Sequence, residues 1–113
     1  MHELGITQSI VEIAEKTACE QGAKKILSVT IEIGELSGVI PDAVEFCFEA
    51  CSQETMLAGS RLIIDFIPGA GACEDCAAEV KLDNMTFSCS ACGSYALRRL
   101  RGEELNIKEV EIE

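Results

Sequence analysis

The chain has 113 residues, 48% of them apolar, which is enough for the core of one domain or of a small domain with an insertion. A formal net charge of −11 argues against nucleic acids and anionic membrane surfaces as partners. The sequence contains no apolar run of about 18 residues and no signal segment, so we expect a cytoplasmic protein. In that compartment, the seven cysteines predict metal ligands and buried thiols rather than disulfides.

The amino-terminal half predicts a helix, a strand and a second helix. Residues at three- and four-residue steps form the expected buried stripe of the first helix: Ile6, Ile10, Ile13, Ala14 and Thr17. Gly22 is well placed to end this helix. Residues 27–33 alternate as in a half-buried strand, and a turn-rich loop follows at 34–38. Pro41 suits the first turn of the second helix, whose expected buried stripe is Val44, Cys47, Phe48 and Cys51.

The carboxy-terminal half predicts a strand at 61–67 and a last strand at 104–112. In the last strand, Leu105 and Ile107 share one phase of the alternation, whereas Val110 and Ile112 share the other. A slip of one residue near Lys108 and Glu109 would place all four on one face, so we predict a β-bulge or a change of burial there.

These elements predict an α+β fold with two helices packed on a small, mixed three-stranded sheet. The strand–helix–strand part favours two parallel strands, which the last strand could join in the antiparallel direction. Residues 69–101 have a different composition, with four cysteines and few large apolar side chains. We therefore predict one domain from residues 1–68 and 102–113, and an inserted zinc-ribbon-like domain at 69–101.

Two C-x2-C pairs in the insert, Cys73 with Cys76 and Cys89 with Cys92, are separated by twelve residues. Each pair can form a knuckle that directs two sulfurs at one ion, and a hairpin between the knuckles would complete a tetrahedral zinc site. Gly93 would supply the backbone freedom of the second turn. Four thiolates leave no position for substrate, so the metal would be structural and would supply much of the folding energy of the insert.

Two alternatives remain for these pairs. Iron in a rubredoxin-like arrangement uses the same four ligands. A thiol redox role is disfavoured because neither pair opens a helix after a buried strand.

The other cysteines and the basic residues have simple interpretations. Cys47 and Cys51 share a helical face with apolar residues and are expected to be core thiols, and Cys19 needs no function. The basic cluster of the chain, Arg98, Arg99 and Arg101, is either a solvated edge or a docking site for a partner.

The sequence contains no phosphate-binding glycine loop, no H-E-x-x-H motif and no second histidine from which a catalytic triad could be assembled around His2. This absence favours a binder or carrier over an enzyme.

The chain begins with Met1, His2 and Glu3, and His2 is its one histidine. The Met1 amine, the backbone nitrogen of His2 and its imidazole Nδ1 can close adjacent chelate rings around one ion. Ni(II) and Cu(II) favour such nitrogen donors in a plane, and Glu3 could add a fourth donor. The alternative is a solvated terminus without a function.

The "MHE" start, the segment "IGELSGVIPDAVEFCFEACSQETMLAGSRLIIDFIPG" and the paired C-x2-C motifs together resemble the HypA/HybF family. The resemblance runs essentially from end to end and implies a nickel metallochaperone of [NiFe]-hydrogenase maturation. It implies that His2 binds nickel, with Glu3 as its neighbour, and that Cys73, Cys76, Cys89 and Cys92 bind zinc. Members often have histidines in or beside the zinc knuckles, and this chain has none there.

The resemblance also implies two partners, a HypB-type nickel-associated GTPase or ATPase and the hydrogenase large subunit. The alternative function is a zinc-ribbon interaction module without nickel transfer.

Overall fold

A computed structural model describes residues 3–113 as two helices and two three-stranded sheets. In chain order the elements are α1 (Glu3–Glu20), β1 (Ile26–Gly34), α2 (Pro41–Ser52), β2 (Arg61–Ile67), β3 (Ala70–Cys73), β4 (Glu79–Lys81), β5 (Leu97–Arg101) and β6 (Leu105–Ile112). Neither described helix is long and apolar enough to cross a membrane.

The first sheet has the strand order β2-β1-β6, with β2 parallel and β6 antiparallel to the central strand. This mixed sheet and its two helices confirm the predicted α+β class. The second sheet has the order β4-β3-β5 and is antiparallel throughout. Strands β1 and β2 precede the second sheet in the chain, and β6 follows it. The second sheet is therefore inserted in sequence between strands of the first.

Helices α1 and α2 lie side by side and run in the same direction. Near their starts, the Glu3 carboxylate accepts a hydrogen bond from the Ile40 N–H (3.3 Å). Near their ends, the Glu15 carboxylate accepts one from the Met56 N–H (2.9 Å). A glutamate of α1 thus holds the chain at each end of α2.

The predicted buried stripe of α1 is wrong in part. Ile10 and Ala14 are buried, but Ile13 is 56% exposed and Thr17 is exposed. The buried face instead includes residues on the side of Ile10: Thr7, Val11, Ala14 and Ala18. Small residues dominate it because α1 packs closely against α2 as well as the sheet, and Ile13 is left at the margin beside β6. The expected end of the helix is confirmed, since Gly22 has φ +71°.

The predicted β-bulge is confirmed in β6. Thr30 of β1 pairs with Glu109 and the next residue, Ile31, pairs with Ile107, which leaves Lys108 as the extra residue. Ile107 and Val110, three positions apart, therefore both pack against the core. A regular strand would have sent one of them to the open face.

The second sheet encloses a small core of four buried side chains, Cys73, Val80, Leu82 and Cys89. The predicted hairpin between the two knuckles is wrong. Strand β4 pairs with β3, which precedes the first knuckle, so the hairpin instead turns through that knuckle. The segment after β4 leaves Met85 and Phe87 exposed.

Three glycines meet where the chain passes between the two sheets. Gly69 leads into the second sheet, Gly102 leads out of it, and Gly34 ends β1 beside them. A Cβ on Gly102 would lie 2.6 Å from Gly69 Cα, and one on Gly34 would overlap the Gly102 carbonyl. Only glycine permits such close backbone approach.

The loop after β1 forms hydrogen bonds with both segments that connect the two sheets. Glu35 donates its N–H to the Ile67 carbonyl (2.9 Å), and its carboxylate accepts the N–H of Gly69 (2.9 Å). Leu36 donates its N–H to the Gly102 carbonyl (2.6 Å).

The molecule is elongated. Its radius of gyration is 17.4 Å, against about 13 Å for a compact chain of this length.

Candidate metal centres

The first C-x2-C pair forms a tight knuckle at the end of β3. The Cys73 carbonyl accepts the N–H of Ala77 (2.9 Å), and the Cys73 N–H donates to the Ala78 carbonyl (2.9 Å). Ala77 has φ +63°, in the left-handed region that a residue with a Cβ rarely adopts. This backbone path turns the chain so that Cys76 lies beside Cys73.

The second pair repeats this pattern bond for bond. The Cys89 carbonyl accepts the N–H of Gly93 (2.8 Å), and the Cys89 N–H donates to the Ser94 carbonyl (2.7 Å). Gly93 has φ +80°, as its predicted role in the turn requires. In both knuckles the first cysteine is buried and the second, Cys76 or Cys92, is exposed. The two halves of the site are therefore pseudo-symmetric.

The four sulfurs converge on one point. Cys73 Sγ lies 3.6 Å from Cys92 Sγ, Cys76 Sγ lies 3.7 Å from Cys89 Sγ, and all four lie within 4.8 Å of one another. A tetrahedral zinc ion with Zn–S bonds of about 2.3 Å requires S···S distances of about 3.8 Å. The donor set and its spacing thus fit zinc, and within residues 3–113 no other cluster of three or more histidine, cysteine or acidic ligands occurs.

Backbone N–H groups already favour thiolate at the buried sulfurs. The N–H of Cys76 lowers the pKa of Cys73, and the N–H of Cys92 lowers the pKa of Cys89 to about 7. At Cys92, the N–H of Ser94 lowers the pKa. The three neighbouring sulfurs outweigh this effect and raise the pKa to about 12. Four thiolates this close repel one another, and a shared cation removes that repulsion.

Near the amino terminus, Glu3 is the first described residue, and it is buried at 7% exposure although it is charged. The amino-terminal charge and the backbone N–H groups of Glu3 and Ile40 lower the pKa of this carboxyl to about 2. Its bond to Ile40 reaches the start of α2, which has no side-chain cap of its own. The predicted nickel ligands Met1 and His2 lie outside the described residues.

The remaining cysteines lie apart from the four-sulfur cluster. Val44 and Phe48 of the predicted α2 stripe are buried, but Cys47 and Cys51 are only half-buried, so the expectation of core thiols is too strong. Burial and the nearby Cys47 thiol raise the pKa of Cys51, which keeps it a neutral thiol. All seven cysteines are free.

Two contributors to these sites, Ala77 and Glu3, have no recognisable signal in the sequence. Nothing in the residue type of Ala77 indicates a left-handed turn, although its position relative to Cys73 matches that of Gly93 relative to Cys89. The role of Glu3 in holding Ile40 depends on the packing of α1 against α2, which has no local sequence signal.

Fold and site together define a small α+β metal-binding protein with a zinc-ribbon-type four-cysteine cluster. Residues 1–112 match the family model described as "Hydrogenase/urease nickel incorporation, metallochaperone, hypA". The chain belongs to the HypA family, whose members are metallochaperones for nickel incorporation in hydrogenase maturation.

Individual relatives agree over the full length of the chain. The hydrogenase maturation factors HypA of Geobacter metallireducens and Geobacter sulfurreducens are 53% and 52% identical, and each match covers 100% of both chains. The solution structure of the nickel metallochaperone HypA from Helicobacter pylori is 25% identical, with a TM-score of 0.67 over 99% of this chain and 97% of that one. The family membership and the cysteine cluster identify nickel and zinc as the two metals of this protein.

Proposed function

We propose that this protein carries Ni(II) at its amino terminus and delivers it to [NiFe]-hydrogenase during maturation. The Met1 amine, the His2 backbone nitrogen and His2 Nδ1 supply three nitrogen donors, and Glu3 or an outside group supplies the fourth. A site with so few protein ligands can release its ion when a partner offers better donors. The function is transfer of the metal, not turnover of a substrate.

The observation that carries this proposal is the anchoring of Glu3. Its carboxylate is fixed by the N–H of Ile40, and its carbonyl accepts the Thr7 hydroxyl (2.5 Å). His2 directly precedes this anchored residue in the chain. Anchoring limits the conformational entropy that a terminal chelate loses when it closes around an ion. The net charge of −11 also favours capture of a divalent cation.

Zinc is held by Cys73, Cys76, Cys89 and Cys92 and acts structurally. Because these four thiolates fill a tetrahedral coordination shell, the zinc offers no open position to nickel or substrate. We propose two units accordingly: a nickel-binding unit of residues 1–68 and 102–113, and a zinc-binding unit of residues 69–101. Seven cysteines without a disulfide favour a cytoplasmic location. The proposed partners are a HypB-type nickel-associated GTPase or ATPase and the hydrogenase large subunit.

Isothermal titration of zinc-loaded protein with Ni(II) tests the terminal site. The native chain is compared with His2→Ala and with a version that has Gly-Ser added before Met1, which moves the free amine away. We expect one nickel on the native chain and affinity lower by more than about tenfold in both variants. Equal binding by all three proteins would refute the terminal site and favour a zinc-ribbon interaction module.

Two further variants separate ligand from anchor at Glu3. Glu3→Gln keeps an oxygen that can accept the Ile40 N–H, whereas Glu3→Ala does not. If Glu3 acts only by anchoring, Glu3→Gln retains most of the nickel affinity and Glu3→Ala loses it. If the carboxylate is the fourth ligand, both variants lose affinity.

A further inference from the structure

The two faces of the second sheet differ in character. Cys73, Val80 and Leu97 point to the face that carries the cysteine cluster. Cross-strand pairing places two rows on the opposite face, which we call the basic face: Lys81–Ala70–Arg101 and Glu79–Ala72–Arg98. The central strand thus contributes only alanines, and the outer strands contribute the charges.

A β-bulge places two of the arginines on this face together. Gly71 pairs with Arg99 and Ala70 with Arg101, so Leu100 is the extra residue of β5. Arg98 and Arg101 are three positions apart, and in a regular strand they would point to opposite faces. The bulge returns Arg101 to the side of Arg98, so the pairing of these cations is built into the backbone.

Ala70 forms the floor of a shallow depression of about 320 Å³, whose lining also includes Lys81 and Arg101. Ala70 is 7% exposed, whereas the side chains around it reach solvent. Arg101 forms an ion pair with Glu79. Lys81 and Arg98 form no ion pair with any described residue. Three cations and one carboxylate therefore give this face a positive charge on a strongly acidic protein.

We propose that the basic face is the docking site for an extended, acidic segment of a partner protein. Carboxylates of such a segment would reach Lys81 and Arg98, while its backbone lies over the alanine floor and the aliphatic stems of the long side chains. A short segment brings few negative charges to a molecule of net charge −11. A nucleic acid, with one charge per about 1.7 Å of duplex, would be repelled by the rest of the protein.

The test uses fluorescence anisotropy of zinc-loaded, full-length protein. The probe is a fluorescein-labelled peptide of five Glu-Thr repeats, and the neutral reference probe has five Gln-Thr repeats. The basic-face variant combines Lys81→Glu with Arg98→Glu. The matched control combines Lys16→Glu with Lys24→Glu, two exposed lysines of the first unit, and changes the net charge equally.

We expect the acidic peptide to bind the native protein and to lose about tenfold in affinity with the basic-face variant. The control variant should change the affinity by less than about twofold at 0.1 M salt, where charges more than about 10 Å away are screened. Raising the salt should weaken binding to the native protein and have little effect on the variant. If a reduced zinc content shows that charge reversal disturbs the fold, the milder double variant Lys81→Gln with Arg98→Gln replaces it in the same measurement.

Three results would overturn the proposal. They are no binding of the acidic peptide by the native protein, equal binding of the neutral peptide, and equal losses in the basic-face and control variants. If a ten-nucleotide oligothymidylate binds more tightly than the acidic peptide and loses affinity with the basic-face variant, the face would be assigned to nucleic acid instead. Neither Met1 nor His2 is altered, so nickel titration of the same proteins reports separately on the terminal site.

Discussion

Replacing Gly34 by alanine tests whether the contact of three glycines holds the two sheets together. The new Cβ would overlap the Gly102 carbonyl and lie 2.7 Å from the Glu104 nitrogen, so main-chain atoms must move. Overpacking of this kind costs about 1–3 kcal/mol. Movement also weakens two hydrogen bonds, from Gly34 N–H to the Glu104 carbonyl (2.7 Å) and from Leu36 N–H to the Gly102 carbonyl (2.6 Å). At about 0.5–1.5 kcal/mol each, these bring the expected loss of stability to about 2–6 kcal/mol.

Urea unfolding of the zinc-loaded protein, followed by circular dichroism at 222 nm, measures this loss. Gly5→Ala is the matched control, because a Cβ on Gly5 in α1 meets nothing within 4 Å. That variant should be more stable by about 0.5 kcal/mol, as expected for alanine in a helix. If Gly34→Ala unfolds within 0.5 kcal/mol of the native protein, the backbone contacts at this point do not carry the stability assigned to them.

Three other predictions concern metal, strand register and knuckle geometry. Chelation of zinc should unfold the second sheet but leave most of the helical signal at 222 nm, because only a few buried side chains support that sheet. Deletion of Lys108 should cost about 2–4 kcal/mol in urea unfolding, since it removes the bulge and exposes Ile107 or Val110. Ala77→Gly should stabilise zinc-loaded protein by about 0.5–1 kcal/mol against chelator, because glycine relieves the left-handed backbone strain.

Each of these has an outcome that contradicts it. Loss of the helical signal on chelation would mean that zinc supports the whole molecule. For the deletion, Lys108→Ala is the control and should cost less than about 1 kcal/mol, as its ion pair with Asp65 is exposed. Equal effects of the two changes would rule out the register argument. The prediction for Ala77→Gly is contradicted if the variant holds zinc no better than the native protein.

Local patterns predicted those parts of the fold that local physics decides. The phase change between Ile107 and Val110 predicts the bulge because side-chain alternation in a strand depends only on sequence spacing. The spacing of the four cysteines predicts their convergence because each knuckle is a local turn. Gly22 ends α1 for the same reason.

Features that depend on contacts between distant elements escaped prediction. The buried face of α1 centres on small residues such as Thr7 and Ala18, because α2 approaches from one side. A prediction based on the spacing of apolar residues alone favours Ile13, which is exposed. The partner of β4 is the strand before the first knuckle, and short apolar runs give no signal for that pairing. The basic face required both the pairing of β5 with β3 and its bulge.

The meeting of Gly69 and Gly102 has a consequence for how the chain can vary over evolutionary time. For the first sheet, the whole second sheet is a connection whose two ends already touch. The entropy of closing a loop depends on the distance and length between its fixed ends, and here the second sheet forms a cassette that holds those ends together. The cassette can therefore lengthen, shorten or acquire new surface residues without changing the register of β2, β1 and β6. The proposed docking surface is therefore free to diversify while the strands of the first sheet stay the same.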